Sequence, residues 1–315
     1  MIFRTPIHLT AHNYQITHKN SIFCIGSCFA ENISKKFSEY RFDAISNPFG
    51  VLYNPVSICN SIERIINNTP FTDKDILLDK TSSLYFSYDA YTLFNSEDKD
   101  EILQNLNKKL AQAHEHFTQS DTLIITLGTS FVYKLKDSDY VVANCQKQHP
   151  ATFTREKLSV NQISETLSSL FEKESLKNKQ IIVTVSPIRH KKDGFEANSL
   201  SKASLLCSVH EMCDKFDNVS YFPSYEIMMD DLRDYRFYAE DMIHPSEQAI
   251  SYIWEQFKTR YIPEGTQNLF SEIKLIQKRL NHKPFNPDSE SHKKFLSDLD
   301  SRIDTLNKKM GKNIF

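Results

Sequence analysis

Glycine is scarce. Average usage of about 7% would place roughly 22 glycines in a chain of this length, and there are 6 among 315 residues. Gly26, Gly50 and Gly128 follow or interrupt apolar runs in the N-terminal half, Gly194 and Gly265 lie in polar connections, and Gly311 stands in the tail. No two are spaced as G-x-G-x-x-G or as a Walker loop, so the glycine cradles of nucleotide phosphates are missing, as is the G-x-S-x-G elbow. An excess of either charge is missing too. The 38 Lys and Arg face 40 Asp and Glu, a formal net charge of -2, which leaves no basic footprint for nucleic acid. No apolar run approaches the ~20 residues that span a bilayer. Met1 to Thr10, with one Arg, Pro6 and His8, lacks the apolar centre of a secretion signal. The expectation is a soluble, cytoplasmic protein that binds neither nucleic acid nor membrane.

Metal-binding patterns are equally thin. The six cysteines, at positions 24, 28, 59, 145, 207 and 213, have no zinc-knuckle spacing and read as reduced thiols where no secretion signal is present. His114 and His116 flank Glu115, but side chains two apart on a helix point to different faces. His210 and Glu211 lack the second histidine of H-E-x-x-H. No metal and no cofactor is expected.

What the chain does have is alternation. About 40% of it is apolar, enough for a substantial core without disulfides. Short apolar runs at residues 21–25, 42–45, 122–127, 181–185 and 219–222 read as strands. Between them, Phe29, Ile33 and Phe37 mark one helix face; Pro55 opens a second helix carrying Ile58, Ile62, Ile65 and Ile66. Leu103, Leu106, Leu110 and Ala113 mark a third, Ile163, Leu167, Leu170 and Phe171 a fourth, residues 199–216 a fifth and residues 246–261 a sixth. Residues 131–135 and 140–143 flank Asp137-Ser138-Asp139 as a hairpin or a pair of extended arms. Five strands separated mainly by helices predict an α/β protein with a parallel sheet. After Pro263-Glu264-Gly265 the chain becomes charged, with two further helix faces, Leu269, Ile273, Ile276 and Leu280, then Phe295, Leu299, Ile303 and Leu306. The expected division is a domain over 1–262 and a helical extension over 263–315, packed on the domain rather than offered to a partner.

Chemistry concentrates at two places. Ligands of open parallel sheets bind at the carboxyl ends of the strands, and the first strand end gives Gly26-Ser27-Cys28, a serine between strand and helix. Ser27 there is either an exposed hydroxyl beside a helix N-terminus or a helix cap. Cys28 is intrinsically the stronger nucleophile, but it turns about 100° from its neighbour, so both cannot face one base, and burial is expected for it. Far along the chain, Asp241 stands three residues before His244, close enough to hold an imidazole in one tautomer and stabilise its charged form, or simply to cap the next helix. Arg189 and His190, past the strand at 181–185, are candidates to bind a polar or anionic substrate group, or to pair with Asp230 and Asp231.

Gly26-Ser27-Cys28-Phe29-Ala30 spells the name-giving motif of the GSCFA family, which is similar to the SGNH or GDSL-like hydrolases. Asn47-Pro48-Phe49-Gly50-Val51-Leu52-Tyr53, Thr126-Leu127-Gly128-Thr129, Val142-Ala143-Asn144-Cys145, Ser186-Pro187-Ile188-Arg189-His190 and Asp241-Met242-Ile243-His244-Pro245 resemble further blocks of that family, in order, over residues 1 to about 260. The resemblance implies a three-layer α/β/α sandwich with a flavodoxin-like, five-stranded parallel sheet. It also implies Ser27 as nucleophile, His244 as general base and Asp241 as its orienting carboxylate. The oxyanion hole would take the N–H groups of Ser27 and Gly50 and an asparagine. Where the usual block reads Gly-x-Asn this chain has Gly128-Thr129-Ser130, so Ser130 stands at that place as a possible substrate contact and Asn144 is the substitute. The activity implied is a serine esterase, without metal or cofactor, acting on short, acetyl-like esters of carbohydrates or other polar alcohols. An O-acyltransferase with the same triad, and a non-catalytic glycan-binding or scaffolding module, are the alternatives.

Overall fold

A computed structural model describes residues 4–315; Met1, Ile2 and Phe3, part of the segment tested for a leader and of the expected first domain, lie outside the described residues. Among those residues the strands are β1 (Ser21–Gly26), β2 (Asp43–Ser46), β3 (Leu77–Asp79), β4 (Leu84–Phe86), β5 (Thr122–Leu127), β6 (Phe131–Leu135), β7 (Val141–Val142), β8 (Phe153–Lys157), β9 (Gln180–Val185) and β10 (Val219–Tyr221). The helices are α1 (Cys28–Glu39), α2 (Pro55–Ile66), α3 (Lys99–Gln119), α4 (Val160–Phe171), α5 (Phe195–Lys215), the single turn α6 (Ser224–Glu226), α7 (Glu247–Tyr261), α8 (Glu264–Gln267), α9 (Phe270–Leu280) and α10 (Glu290–Met310).

Alternation along the strands sorts the chain into layers, because successive side chains of a strand point to opposite faces. Phe23 and Ile25 of β1 enter one core with Leu123, Ile125, Ile181 and Val183, covered by α2, α3, α4 and α5. Ile22 and Cys24 point the other way, with Ile124 and Ile182, beneath α1, α7, α9 and α10. The sheet is parallel throughout, in the order β10-β9-β5-β1-β2. Counted among the sheet strands alone this is 2-1-3-4-5, the flavodoxin-like order, and the three-layer sandwich expected from the sequence is present.

The departures are local. The apolar arms after β5 form a three-stranded antiparallel sheet, β7-β6-β8, and β3 and β4 form a separate hairpin. Helix α5 starts at Phe195, four residues before the sequence signal. The C-terminal helices bury Ile273, Ile276, Leu299 and Leu306 in the same core as Trp254 and Phe37, so they pack on the sandwich. No helix among the described residues is long and apolar enough to cross a membrane.

Candidate active site

In a sheet of this order the connections leave β1 and β5 on opposite faces, and a crevice opens between their carboxyl ends. Gly26 ends β1 there. Its φ is +130°, and a Cβ placed on it would stand 2.1 Å from the Thr126 carbonyl oxygen on β5, so only glycine lets the strands close around the turn. Asn47, at the end of β2, accepts the Gly26 N–H at 2.8 Å and donates to the Glu31 carboxylate at 3.3 Å.

The next two residues differ in direction and burial. Ser27 is the N-cap of α1 and 1% exposed. Its Oγ accepts the Phe29 N–H at 3.3 Å and lies 3.1 Å from Thr126 Oγ1, while its own N–H goes to the Thr126 carbonyl at 3.1 Å. Cys28, the first helical residue, is partly exposed, with Sγ 3.7 Å from the Tyr53 hydroxyl. The burial expected of Cys28 falls instead to Ser27. A cap side chain folds back over the first turn to reach free amides, and the following side chain leaves the helix in a different direction.

Asp241 and His244 meet as their spacing predicts. His244 Nδ1 lies 2.6 Å from Asp241 Oδ2, and Asp241 Oδ1 accepts the N–H groups of Ile243 at 2.8 Å and His244 at 3.0 Å. The imidazole bond and these two amides hold the Asp241 carboxyl down to about 2. Both side chains are open to solvent, 44% for His244 and 45% for Asp241. Among the described residues no hydrogen bond joins His244 to Ser27 or Cys28, and none engages its Nε2.

Arg189 holds this loop. Its N–H donates to the Ile243 carbonyl at 3.2 Å, and its guanidinium donates through Nε to the Met242 carbonyl at 3.1 Å, with a second bond from Nη2. The same guanidinium lies over Tyr238, 4.3 Å from the ring centroid. It makes no pair with Asp230 or Asp231, which bind Arg233 and Arg4 instead. Arg189 positions the loop. His190 is half-buried, its ring edge-on to Tyr53 at 5.8 Å, its N–H on Asn198 Oδ1 at 2.9 Å and its Nε2 buried without a partner. Burial, reinforced by Lys202, pushes its titration down to about 4, so His190 is neutral near pH 7.

The groups expected to form an oxyanion hole have partners within the fold. The Gly50 N–H is donated to the Asn47 carbonyl at 2.8 Å, which occupies it within the turn. Asn144 belongs to the chain beside Tyr88: its N–H donates to the Tyr88 carbonyl at 3.0 Å and its carboxamide oxygen accepts Gln146 N–H at 2.7 Å. The asparagine at the Ser27 turn is Asn47. Ser130 is wholly buried, its N–H on Ser201 Oγ at 2.7 Å and its own Oγ without a partner.

Sequence reasoning missed Lys202. It is 1% exposed and its Nζ donates to the carbonyls of Gly128 and Ser186, both at 2.7 Å, tying together the chain just past β5 and β9. Burial without a carboxylate lowers its titration to about 7. The signal was present: Lys202, Leu205 and Val209 share one helix face, and a lysine in an apolar stripe is rarely buried without a task. Tyr53, which accepts the N–H groups of Gly128 and Thr129 on its carbonyl at 2.8 and 2.9 Å, was also not singled out.

The fold and crevice define a flavodoxin-like three-layer α/β protein with an Asp–His pair beside the carboxyl edge of its sheet. The chain belongs to the GSCFA family: that family's profile matches residues 21–257, and the profile of the GSCFA domain protein C-terminal domain matches residues 273–313. No curated protein and no solved structure was found to match the chain.

Proposed function

We propose that this protein is an acyl-ester hydrolase of the SGNH kind, working on short esters of polar alcohols such as carbohydrates. The observation that carries the reading is the Asp241–His244 pair, with Nδ1 bonded to the carboxylate at 2.6 Å and Nε2 free. The β1–α1 turn, where Ser27 and Cys28 adjoin, supplies the nucleophile. Its proton passes to His244 Nε2 as the acyl carbonyl is attacked, Asp241 stabilises the imidazolium, and His244 returns the proton to the leaving alkoxide. The positive end of α1 lies where negative charge develops on the carbonyl oxygen. Water then repeats the sequence on the acyl-enzyme.

A second reading keeps the same pair and sends the acyl group to a sugar instead of water. Hydrolysis of p-nitrophenyl acetate tests both. We expect Asp241→Asn and His244→Asn to lower kcat/KM by at least about 100-fold, and a monosaccharide to divert acetyl from water only if transfer is the reaction. Equal turnover by folded His244→Asn protein would remove the hydrolase and the transferase together.

A further inference from the structure

We infer that Cys28, rather than Ser27, is the nucleophile; the inference rests on the hydrolase reading and assigns its attacking atom. A nucleophile must be reachable from the crevice, and here the two neighbours stand at the N-cap and the first position of α1, about 100° apart around the helix. Ser27 Oγ is committed to Phe29 N–H and Thr126 Oγ1 and is 1% exposed. To attack, it would have to leave the cap that starts α1.

Cys28 carries no such duty. The residue is half-buried, packed at the edge of the core beneath α1, and its Sγ meets the Tyr53 hydroxyl at 3.7 Å. Tyr53 in turn meets the His190 ring at 5.8 Å, and His190 Nε2 is buried with no partner. His190 directly follows Arg189, which clamps the loop bearing His244. Cys28, Tyr53 and His190 thus follow one another from the β1–α1 turn towards the general base. Burial raises the Cys28 thiol above its ordinary range and keeps the Tyr53 phenol protonated, so the sulfur needs a base to take its proton, and Tyr53 is a hydrogen-bond donor beside it.

The step balances without a further co-reactant. The Sγ–H proton goes to His244 Nε2 as sulfur bonds to the acyl carbon. The tetrahedral adduct expels the alkoxide, which takes that proton and leaves a thioester. Water, deprotonated by His244, attacks the thioester; the carbon–sulfur bond breaks and the thiolate recovers the proton.

The test uses p-nitrophenyl acetate on the full chain, with acid quenching and peptide mapping beside steady-state rates. Turnover by Cys28→Ala protein should fall by at least about 10³-fold, with Trp254 emission reporting that the variant is folded. Acetyl should be found on Cys28, be released by neutral hydroxylamine, and vanish in His244→Asn, while any acetyl on the exposed Cys207 stays the same. Turnover retained by Cys28→Ala, or acetyl on Ser27, overturns the inference and leaves the hydrolase reading standing. Cys28 acetylated equally with and without His244 also overturns it, as an ordinary thiol. Absence of turnover in the unaltered protein removes the hydrolase reading and the inference with it.

Discussion

Lys202 shows how one residue can couple the crevice to pH. Among the described residues its amine is enclosed without a counter-ion, bonded to the carbonyls of Gly128 and Ser186. Desolvation brings its titration from 10.5 down to about 7. Between those values the unfolded chain keeps a proton that the folded one has released, so this group makes folding more favourable as pH rises. Below about 7 both states hold the proton and the dependence ends. We expect the urea stability of the unaltered protein, relative to Lys202→Met, to rise between about pH 7.5 and about pH 9.5, at no more than about 1.4 kcal/mol per pH unit. Tyrosines and cysteines that titrate in this window are common to both proteins and cancel. Parallel stability curves would show that the folded protein keeps Lys202 protonated across this window, or that its amine has escaped to solvent. At this scale the sequence was legible where spacing decides geometry: Asp241 and His244, three apart, bond as expected. It was not legible at Ser27, because cap and nucleophile differ only in which way one Oγ turns, and that depends on Thr126, 99 residues away.

Among the elements, those with a buried face announced themselves and those held by pairing alone did not. Strand β5 occupies the run read for it because all six of its residues are buried. Strand β8 reads Phe-Thr-Arg-Glu-Lys with only Phe153 buried; its order comes from backbone pairing with β6 and from Arg155, which lies over Phe131 at 3.7 Å and binds Asp193 at 2.5 Å. No periodicity marks such a strand. The loop from Ala239 to Pro245 is a similar case, since its shape is imposed by a neighbour. Met242 adopts φ +58°, and the Arg189 guanidinium grips its carbonyl from outside. Arg189→Lys keeps the charge but loses the planar fork and the stack on Tyr238. The expected result is a fall in kcat of about tenfold with KM nearly unchanged, because a loosened loop misplaces His244 without removing a substrate contact. A rise in KM at constant kcat would instead make Arg189 a substrate-binding group.

For the whole molecule, the question is whether the C-terminal helices stabilise the sandwich or merely follow it. Tyr40, at the end of α1, stacks on Phe270 at 4.0 Å and on Trp254 at 5.9 Å, so α1, α7 and α9 share one aromatic junction. Ile273 and Ile276 are fully buried in the same core as Phe37 and Phe257. A boundary near residue 262 is therefore visible in composition but not in packing, because the charged outer faces of α9 and α10 hide how much apolar surface they cover. Ile276→Ala leaves a cavity in that shared core and should cost about 2–5 kcal/mol. Trp254 is the only tryptophan, so its emission reports this core while far-ultraviolet circular dichroism reports all helices. In urea the two signals should fall in one coincident transition, and Ile276→Ala should move both midpoints down together. An early loss of helix signal with Trp254 emission unchanged would mean that α9 and α10 unfold as a unit of their own. A single transition would mean that the layer roofing α1, and with it the turn that carries Ser27 and Cys28, is held in place partly by residues beyond 262.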